Sequence, residues 1–114
     1  MPMNLRRLKE LLECDVIVGE DLLDGIEFEH CFCADLMSDV LAYAKEGSIL
    51  LTSLASAQSI RTADVADIKA VIYLRGKTPV ETAVSFAKVK NMPILKTKLS
   101  ALTACGILYA EGIR

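Results

Sequence analysis

The sequence predicts a single α/β domain whose sheet has about five strands, most of them parallel, flanked by helices. Four short apolar runs are each bounded by turn residues and followed by a stretch of helical periodicity; they span residues 16–18, 48–52, 70–74 and 93–96. A further apolar run, Cys31-Phe32-Cys33, lies between the first two. Alternating strand and helix patterns are typical of a parallel sheet covered by helices.

Composition narrows the class of protein. The chain has 114 residues, which suits one domain over residues 1–114, and 53% of them are hydrophobic. That slight apolar excess predicts self-association, although burial of a parallel sheet on both faces explains part of it. The net charge of −2 argues against nucleic-acid binding, and no apolar run reaches the ~18 residues of a membrane span. The N-terminus lacks the apolar core of a signal peptide, so we expect a cytoplasmic protein with reduced cysteines.

The first third of the chain predicts one helix and two extended segments. Leucines recur at helical spacing between residues 4 and 13, with Asn4 in the position of an N-cap. Residues 16–18 form a short strand, and 20–25 a turn or a loose helical turn. Residues 26–33 alternate in polarity, which predicts a half-buried strand or a loop that leads into one.

The middle of the chain predicts two strands, each preceded by a helix. Asp35 begins the first of these helices, whose apolar side is formed by Leu36, Met37, Val40, Leu41 and Ala44. Gly47 stands where the residue after a helix is often glycine. A buried strand over 48–52 and a more polar helix over 56–66 follow. The run 70–74 is the most apolar, which predicts the central strand.

The last third predicts two further helices around one strand. Thr78-Pro79-Val80-Glu81 predicts a helix start, with Thr78 as cap, Pro79 in the first helical position and Glu81 completing a capping box. That helix runs to about residue 90. A strand over 93–96 and a helix over 99–111 complete the domain.

Cysteine and histidine give little sign of a metal or catalytic site. Cys31 and Cys33 form a C-x-C pair in an apolar run, a spacing unlike that of common zinc and iron–sulfur sites. Free cysteine also packs as a small hydrophobe, so we interpret the pair as packing residues and keep a redox or metal role as a weaker alternative. His30 is the only histidine, and we interpret it as a strand residue at a surface or interface. We predict neither a bound metal nor a cofactor.

No catalytic motif stands out, so we predict that the protein is not an enzyme. The sequence lacks both the dinucleotide-binding and the P-loop glycine patterns. Arg75-Gly76-Lys77-Thr78 resembles the end of a P-loop, but the upstream glycine is missing. No nucleophile–base pair or carboxylate dyad is visible.

Cations lie at the predicted carboxyl ends of two strands. Arg75 and Lys77 follow the central strand, and Lys96 and Lys98 frame the end of the last strand. Ligands of open α/β sheets bind beyond these ends, where helix N-termini already carry positive partial charge. Solvated lysines tolerate such positions, but the cluster also suggests an anionic ligand or an acidic partner. The candidate anion site comprises Arg75, Gly76, Lys77, Thr78, Thr97, Lys98 and Ser100.

Several ordered segments together resemble the DRTGG domain family. They are residues 35–44, 46–52 and 67–73, followed by 93–97 and Leu99-Ser100. The order and spacing of these segments carry the resemblance, which extends from about residue 5 to residue 113. The family's Asp-Arg pair is absent, because Leu54-Ala55-Ser56 stands near its place, and its Thr-Gly-Gly reads Leu74-Arg75-Gly76.

The resemblance implies a three-layer α/β/α fold similar to the N-terminal domain of HPr kinase/phosphorylase. DRTGG domains occur in phosphotransacetylases, beside CBS domains in regulated pyrophosphatases, and as stand-alone proteins, some of them associated with iron-only hydrogenase systems. The resemblance therefore implies a tendency to dimerise and a regulatory or assembly role. We expect a cytoplasmic, homodimeric regulatory or interaction module that may be expected to bind a protein partner; the alternative is a binding module for a nucleotide or other phosphorylated metabolite.

Overall fold

The computed structural model describes residues 2–114, which form five α-helices, one 3₁₀ helix and seven strands. The helices are α1 (Leu5–Leu11), α2 (Met37–Tyr43), α3 (Ala57–Val65), α4 (Glu81–Val89) and α5 (Ala101–Ala110), and the 3₁₀ helix covers Glu20–Gly25. The strands are β1 (Met3–Asn4), β2 (Asp15–Val18), β3 (Glu27–Phe28), β4 (Cys31–Cys33), β5 (Ile49–Thr52), β6 (Ala70–Tyr73) and β7 (Ile94–Lys96).

Five strands form the main sheet in the order β2-β7-β6-β5-β4. The neighbours from β4 to β7 pair in parallel, whereas β2 runs antiparallel to β7 and has an irregular register between Val16 and Val18. Strand β6 is central and wholly buried, as its apolar sequence predicted. Strands β1 and β3 form a separate antiparallel pair. The prediction of a mostly parallel five-stranded sheet is confirmed.

Helices cover both faces of this sheet, which gives the three-layer arrangement. Successive strand residues point to opposite faces. Ile72 packs with the core on the α1 and α5 side, whereas Val71 packs with the core on the α2, α3 and α4 side. Leu8 and Leu108 anchor the first of these helix layers, and Ile60 is one of the residues that anchor the second.

Hydrogen bonds of side chains fix two helix starts. The side chain of Asn4 accepts a hydrogen bond from the Arg6 N–H at 2.9 Å, so the predicted N-cap of α1 is confirmed. Ser100 caps α5 in the same way and accepts from the Thr103 N–H. Helix α5 therefore begins at residue 101, two residues after the predicted start.

The predicted start of α4 at Thr78 is wrong, because contacts with neighbouring loops hold this part of the chain extended. The helix begins at Glu81, and Val80 occupies the N-cap position without a side-chain capping bond. The Val80 N–H donates to the Ala55 carbonyl at 2.9 Å. The Thr78 hydroxyl is no cap; it accepts a hydrogen bond from Lys96 Nζ.

The start, the end and the apolar side of α2 also differ from prediction. Asp35 lies before the helix, and its Oδ1 accepts from the Ser53 N–H at 2.6 Å. Helix α2 ends at Tyr43, so Gly47 is no longer adjacent to it; Gly47 has a φ of +83° and donates to the Asp67 carbonyl instead. Leu36 and Leu41, predicted on the apolar side, are 61% and 54% exposed.

The region between β2 and β4 is less regular than its alternation suggested. Residues 20–25 adopt the predicted helical turn, here a 3₁₀ helix. Residues 26–33 contain two short strands rather than one, since β3 pairs with β1 and only β4 joins the main sheet. The chain thus reaches the edge of the main sheet only at Cys31.

The connections that follow β6 and β7 leave the sheet in opposite directions. Helix α4 packs on one face with α2 and α3, whereas α5 packs on the other face with α1. Two adjacent parallel strands whose following helices diverge form a topological switch point, where a crevice opens at the strand ends. The predicted cationic residues lie at this crevice.

Candidate functional site

A cleft of about 350 Å³ lies at the carboxyl end of β7. Its lining residues come from the α1–β2 loop and from the segments that follow β6 and β7: Leu12, Glu13, Asp15, Gly76, Lys96, Thr97, Lys98 and Leu99. Three of the seven predicted anion-site residues, Gly76, Thr97 and Lys98, therefore lie together there. The other four, Arg75, Lys77, Thr78 and Ser100, lie near the same strand ends but do not line the cleft.

Backbone hydrogen bonds join the two sides of the crevice between β6 and β7. The Arg75 N–H donates to the Leu99 carbonyl at 2.9 Å, and the Gly76 N–H donates to the Thr97 carbonyl at 2.7 Å. Arg75 and Gly76 adopt positive φ angles of 54° and 68°, which turn both N–H groups toward that neighbouring segment. The protein's own carbonyls thus occupy two donors that could otherwise have bound a phosphate.

The predicted hydroxyl groups also have partners within the protein. Thr97 is buried; its Oγ1 donates to the Leu12 carbonyl at 2.6 Å and accepts from the Leu99 N–H at 3.2 Å. Ser100 caps α5, and Thr78 accepts from Lys96. These hydroxyls stabilise the walls of the cleft, which leaves the exposed cations as the groups available to a ligand.

The cleft carries charges of both signs. Lys96 and Lys98 face it from the end of β7, and Glu13 and Asp15 face it from the loop before β2. Asp15 is the register partner of Lys96, because β2 runs antiparallel beside β7. Sequence reasoning missed both carboxylates, since only the pairing of β2 with β7 brings them to this end of the sheet.

A second surface lies on α5, whose ten residues include no charged side chain. Only Ala104 and Leu108 are buried, whereas Leu102 is 85% and Tyr109 is 62% exposed. A helix that is apolar on all sides is normally buried on all sides. We define the α5 face as its outward residues, which are Leu102, Thr103, Gly106, Tyr109 and Ala110.

Three cysteines meet beside this face. Cys31 and Cys33 on β4 and Cys105 on α5 line an apolar cleft of about 210 Å³, which Arg114 closes at one end. Burial raises the pKa of Cys31 and of Cys33 to about 12, and the neighbouring Cys105 raises both further. These thiols are therefore protonated at neutral pH, which makes them poor nucleophiles and suits the interpretation as packing residues.

The described residues offer no metal centre and no long apolar helix. Between residues 2 and 114, no group of three or more His, Cys, Asp and Glu side chains is arranged to hold a metal ion. None of the helices in that range is both long enough and apolar enough to cross a membrane.

Strand β4 ends the main sheet on the side of the three cysteines. Its outward-facing Cys31 N–H donates to the Arg114 carbonyl at 3.1 Å, so the segment after α5 covers the beginning of this edge. The three residues of β4 carry no charge, although charged side chains commonly protect sheet edges. The α5 face and the edge of β4 thus form adjacent uncharged surfaces.

Comparison with known proteins shows a match at the level of the fold. No family model matches the sequence, and no curated protein matches it. The structure is similar to that of the CBS and DRTGG domains of the regulatory region of a Clostridium perfringens pyrophosphatase, which was solved in complex with its activator, diadenosine tetraphosphate. The TM-score is 0.72 at 16% sequence identity; the match covers 92% of this chain and 45% of that chain. The DRTGG-like fold implied by the sequence is therefore confirmed.

Proposed function

We propose that this protein is a non-enzymatic regulatory module that acts through protein contacts and forms a homodimer in the cytoplasm. The observation that carries the proposal is the α5 face, an uncharged and exposed helix surface on an otherwise ordinarily charged domain. Apolar surface removed from water contributes roughly 25 cal/mol per Å², so covering side chains such as Leu102 and Tyr109 favours association. The similarity to a regulatory region supports the same role.

The arrangement of the cleft agrees with a role other than catalysis. Its hydroxyl groups are engaged in hydrogen bonds within the protein, and its lysines face carboxylates rather than a nucleophile. Stand-alone members of the family that this sequence resembles are associated with iron-only hydrogenase systems. We include such a system among the proposed contexts of the module, where a second protein would be its regulatory target.

The mass of the protein in solution tests the dimer. At ~50 µM, a dimer with a dissociation constant near 1 µM is largely assembled. Light scattering should then give about twice the 12.4 kDa of the chain. Leu102→Lys should give the monomer mass, because a lysine in the α5 face would be buried without a partner.

Val89→Lys is the matched control for that experiment. Val89 is a similarly exposed apolar residue, at 76%, but it lies on α4, on the opposite side of the sheet from α5. This variant should remain dimeric. A wild-type protein that is monomeric at ~50 µM would contradict the homodimer, and equal masses for the two variants would contradict the role of the α5 face.

A second candidate function is the binding of a nucleotide or other phosphorylated metabolite at the cleft. The topological switch point between β6 and β7 favours it, because ligands of open α/β sheets bind at such points. Arg75, Lys77 and Lys98 are exposed there and could contact phosphate groups. Glu13 and Asp15 disfavour a bare polyanion, but carboxylates can accept hydrogen bonds from ribose hydroxyl or amino groups.

Thermal stability measures this binding. A ligand at 100 times its dissociation constant stabilises the folded state by ~2.7 kcal/mol, which corresponds to roughly ten degrees in a domain of this size. Diadenosine tetraphosphate, ATP and acetyl phosphate are suitable probes. Arg75→Ala combined with Lys98→Ala should abolish the shift, whereas Lys88→Ala, an exposed lysine at the other end of α4, should not. The absence of any shift with all three probes would exclude this candidate for those ligands.

A further inference from the structure

Gly106 lies in the interior of α5, and no feature of the chain itself requires a glycine there. Four of the six glycines have positive φ angles, which explains their identity. Gly106 instead has ordinary helical geometry, and a Cβ added to it would have no neighbouring atom within 4 Å. Glycine is unfavourable in a helix interior relative to alanine. The missing side chain is therefore explained only by something outside the chain.

The position of Gly106 on the helix indicates what that is. Ala104 and Leu108 face the sheet, so at 3.6 residues per turn Gly106 lies on the opposite side of α5. Leu102 and Ala110 lie one turn before and one turn after it, and all three are exposed. A glycine at the centre of an uncharged outward face allows the backbone of another helix to approach closely.

We propose that α5 packs antiparallel against α5 of a second copy, with the two helices crossing at Gly106. This inference rests on the proposed homodimer and specifies its interface. In an isologous pair, residues equally distant from the axis contact each other. Leu102 would then face the partner's Ala110, and Thr103 would face the partner's Tyr109. Each pair joins a large side chain to a smaller one, which suits close packing between two copies of the same helix.

Charge also favours a second copy in this orientation. Helix α5 is uncharged, so two copies bring no like charges together along its length. Lys98 precedes the helix and Glu111 follows it. An antiparallel pair brings Lys98 toward the partner's Glu111 and opposes the two helix dipoles, whereas a parallel pair would place like charges and like dipole ends together.

Substitution of the glycine tests the crossing point. Gly106→Ala should raise the melting temperature of the dissociated chain, measured at low concentration, by a few degrees, because alanine favours the helix. The same change should weaken the dimer about tenfold, and Gly106→Leu by roughly a hundredfold. Gly25→Ala is the control, because a Cβ there also has no neighbour within 4 Å while Gly25 lies outside α5. It should leave the dissociation constant unchanged.

A size exchange tests the antiparallel register. Leu102→Ala should weaken the dimer, and Leu102→Ala with Ala110→Leu should restore most of the affinity, because each contact again joins a large side chain to a small one. A dimer insensitive to Gly106→Leu would overturn the crossing point but leave the homodimer standing. Failure of the exchange to restore affinity would overturn the antiparallel register, and a monomeric wild-type protein would overturn both the inference and the homodimer.

Discussion

Thr97 allows a direct measurement of what holds the cleft together. Replacing it with valine keeps the shape of the side chain but removes its hydroxyl, which donates to the Leu12 carbonyl and accepts from the Leu99 N–H. Both bonds lie in a buried or partly buried region, and Thr97 itself is buried. Thr97→Val therefore leaves one acceptor and one donor without their partner.

The expected loss follows from those two bonds. A net hydrogen bond contributes about 1 kcal/mol, and a buried polar group left without a partner costs about 1–3 kcal/mol. Thr97→Val should thus lower the free energy of unfolding by about 2–4 kcal/mol, or the melting temperature by roughly ten degrees. Urea denaturation with an unchanged m-value provides the measurement.

Two further readouts separate this account from simple loss of packing. Thr97→Ser keeps the hydroxyl and should retain most of the stability, and the Leu99 amide should exchange with solvent faster in Thr97→Val than in Thr97→Ser. If Thr97→Val lies within about 0.5 kcal/mol of the wild type, the hydroxyl does not hold the α1–β2 loop to β7 and the reasoning is refuted.

Two more predictions concern buried groups. The Tyr73 hydroxyl lies 2.8 Å from the Ser59 hydroxyl, so Ser59→Ala should cost about 1–3 kcal/mol by orphaning it, and adding Tyr73→Phe should recover part of that loss; strictly additive unfolding energies would contradict this coupling. Burial raises the pKa of Cys14 to about 12, so an unfolded chain ionises this thiol from about pH 9 while the folded chain does not. Stability due to Cys14 should therefore fall as pH rises above about 9, by about 1.4 kcal/mol at pH 10, and Cys14→Ala should reduce that pH dependence in denaturant titrations.

The two surfaces suggest how such a module could be regulated. The cleft lies at the carboxyl end of β7, and α5 begins immediately after it, with Ser100 as its cap. A ligand bound at Lys98 would therefore contact the segment that leads directly into the proposed dimer helix. Comparison of the dissociation constant of the dimer with and without a stabilising ligand would show whether the two are coupled, since coupling must be reciprocal.

Local patterns in the sequence were enough to predict the class and order of the elements. Apolar runs and helical periodicity report on burial within a few residues, so they located the central strand β6 and the succession of strands and helices. The Asn4 cap of α1 was predictable for the same reason, because a cap bonds within its own first turn. Where such a local signal competed with tertiary contacts, as at Thr78, the tertiary contacts decided the helix start.

The sites depended on contacts between distant segments, which no local pattern contains. Antiparallel pairing of β2 with β7 brings Asp15 to the cleft, and the packing of α5 beside β4 brings Cys105 to Cys31 and Cys33. The sequence also predicts α5 as a helix but cannot say which side is covered, because its residues are uncharged all around. Only the tertiary structure shows that Gly106 points away from the sheet, since that depends on which residues the sheet covers.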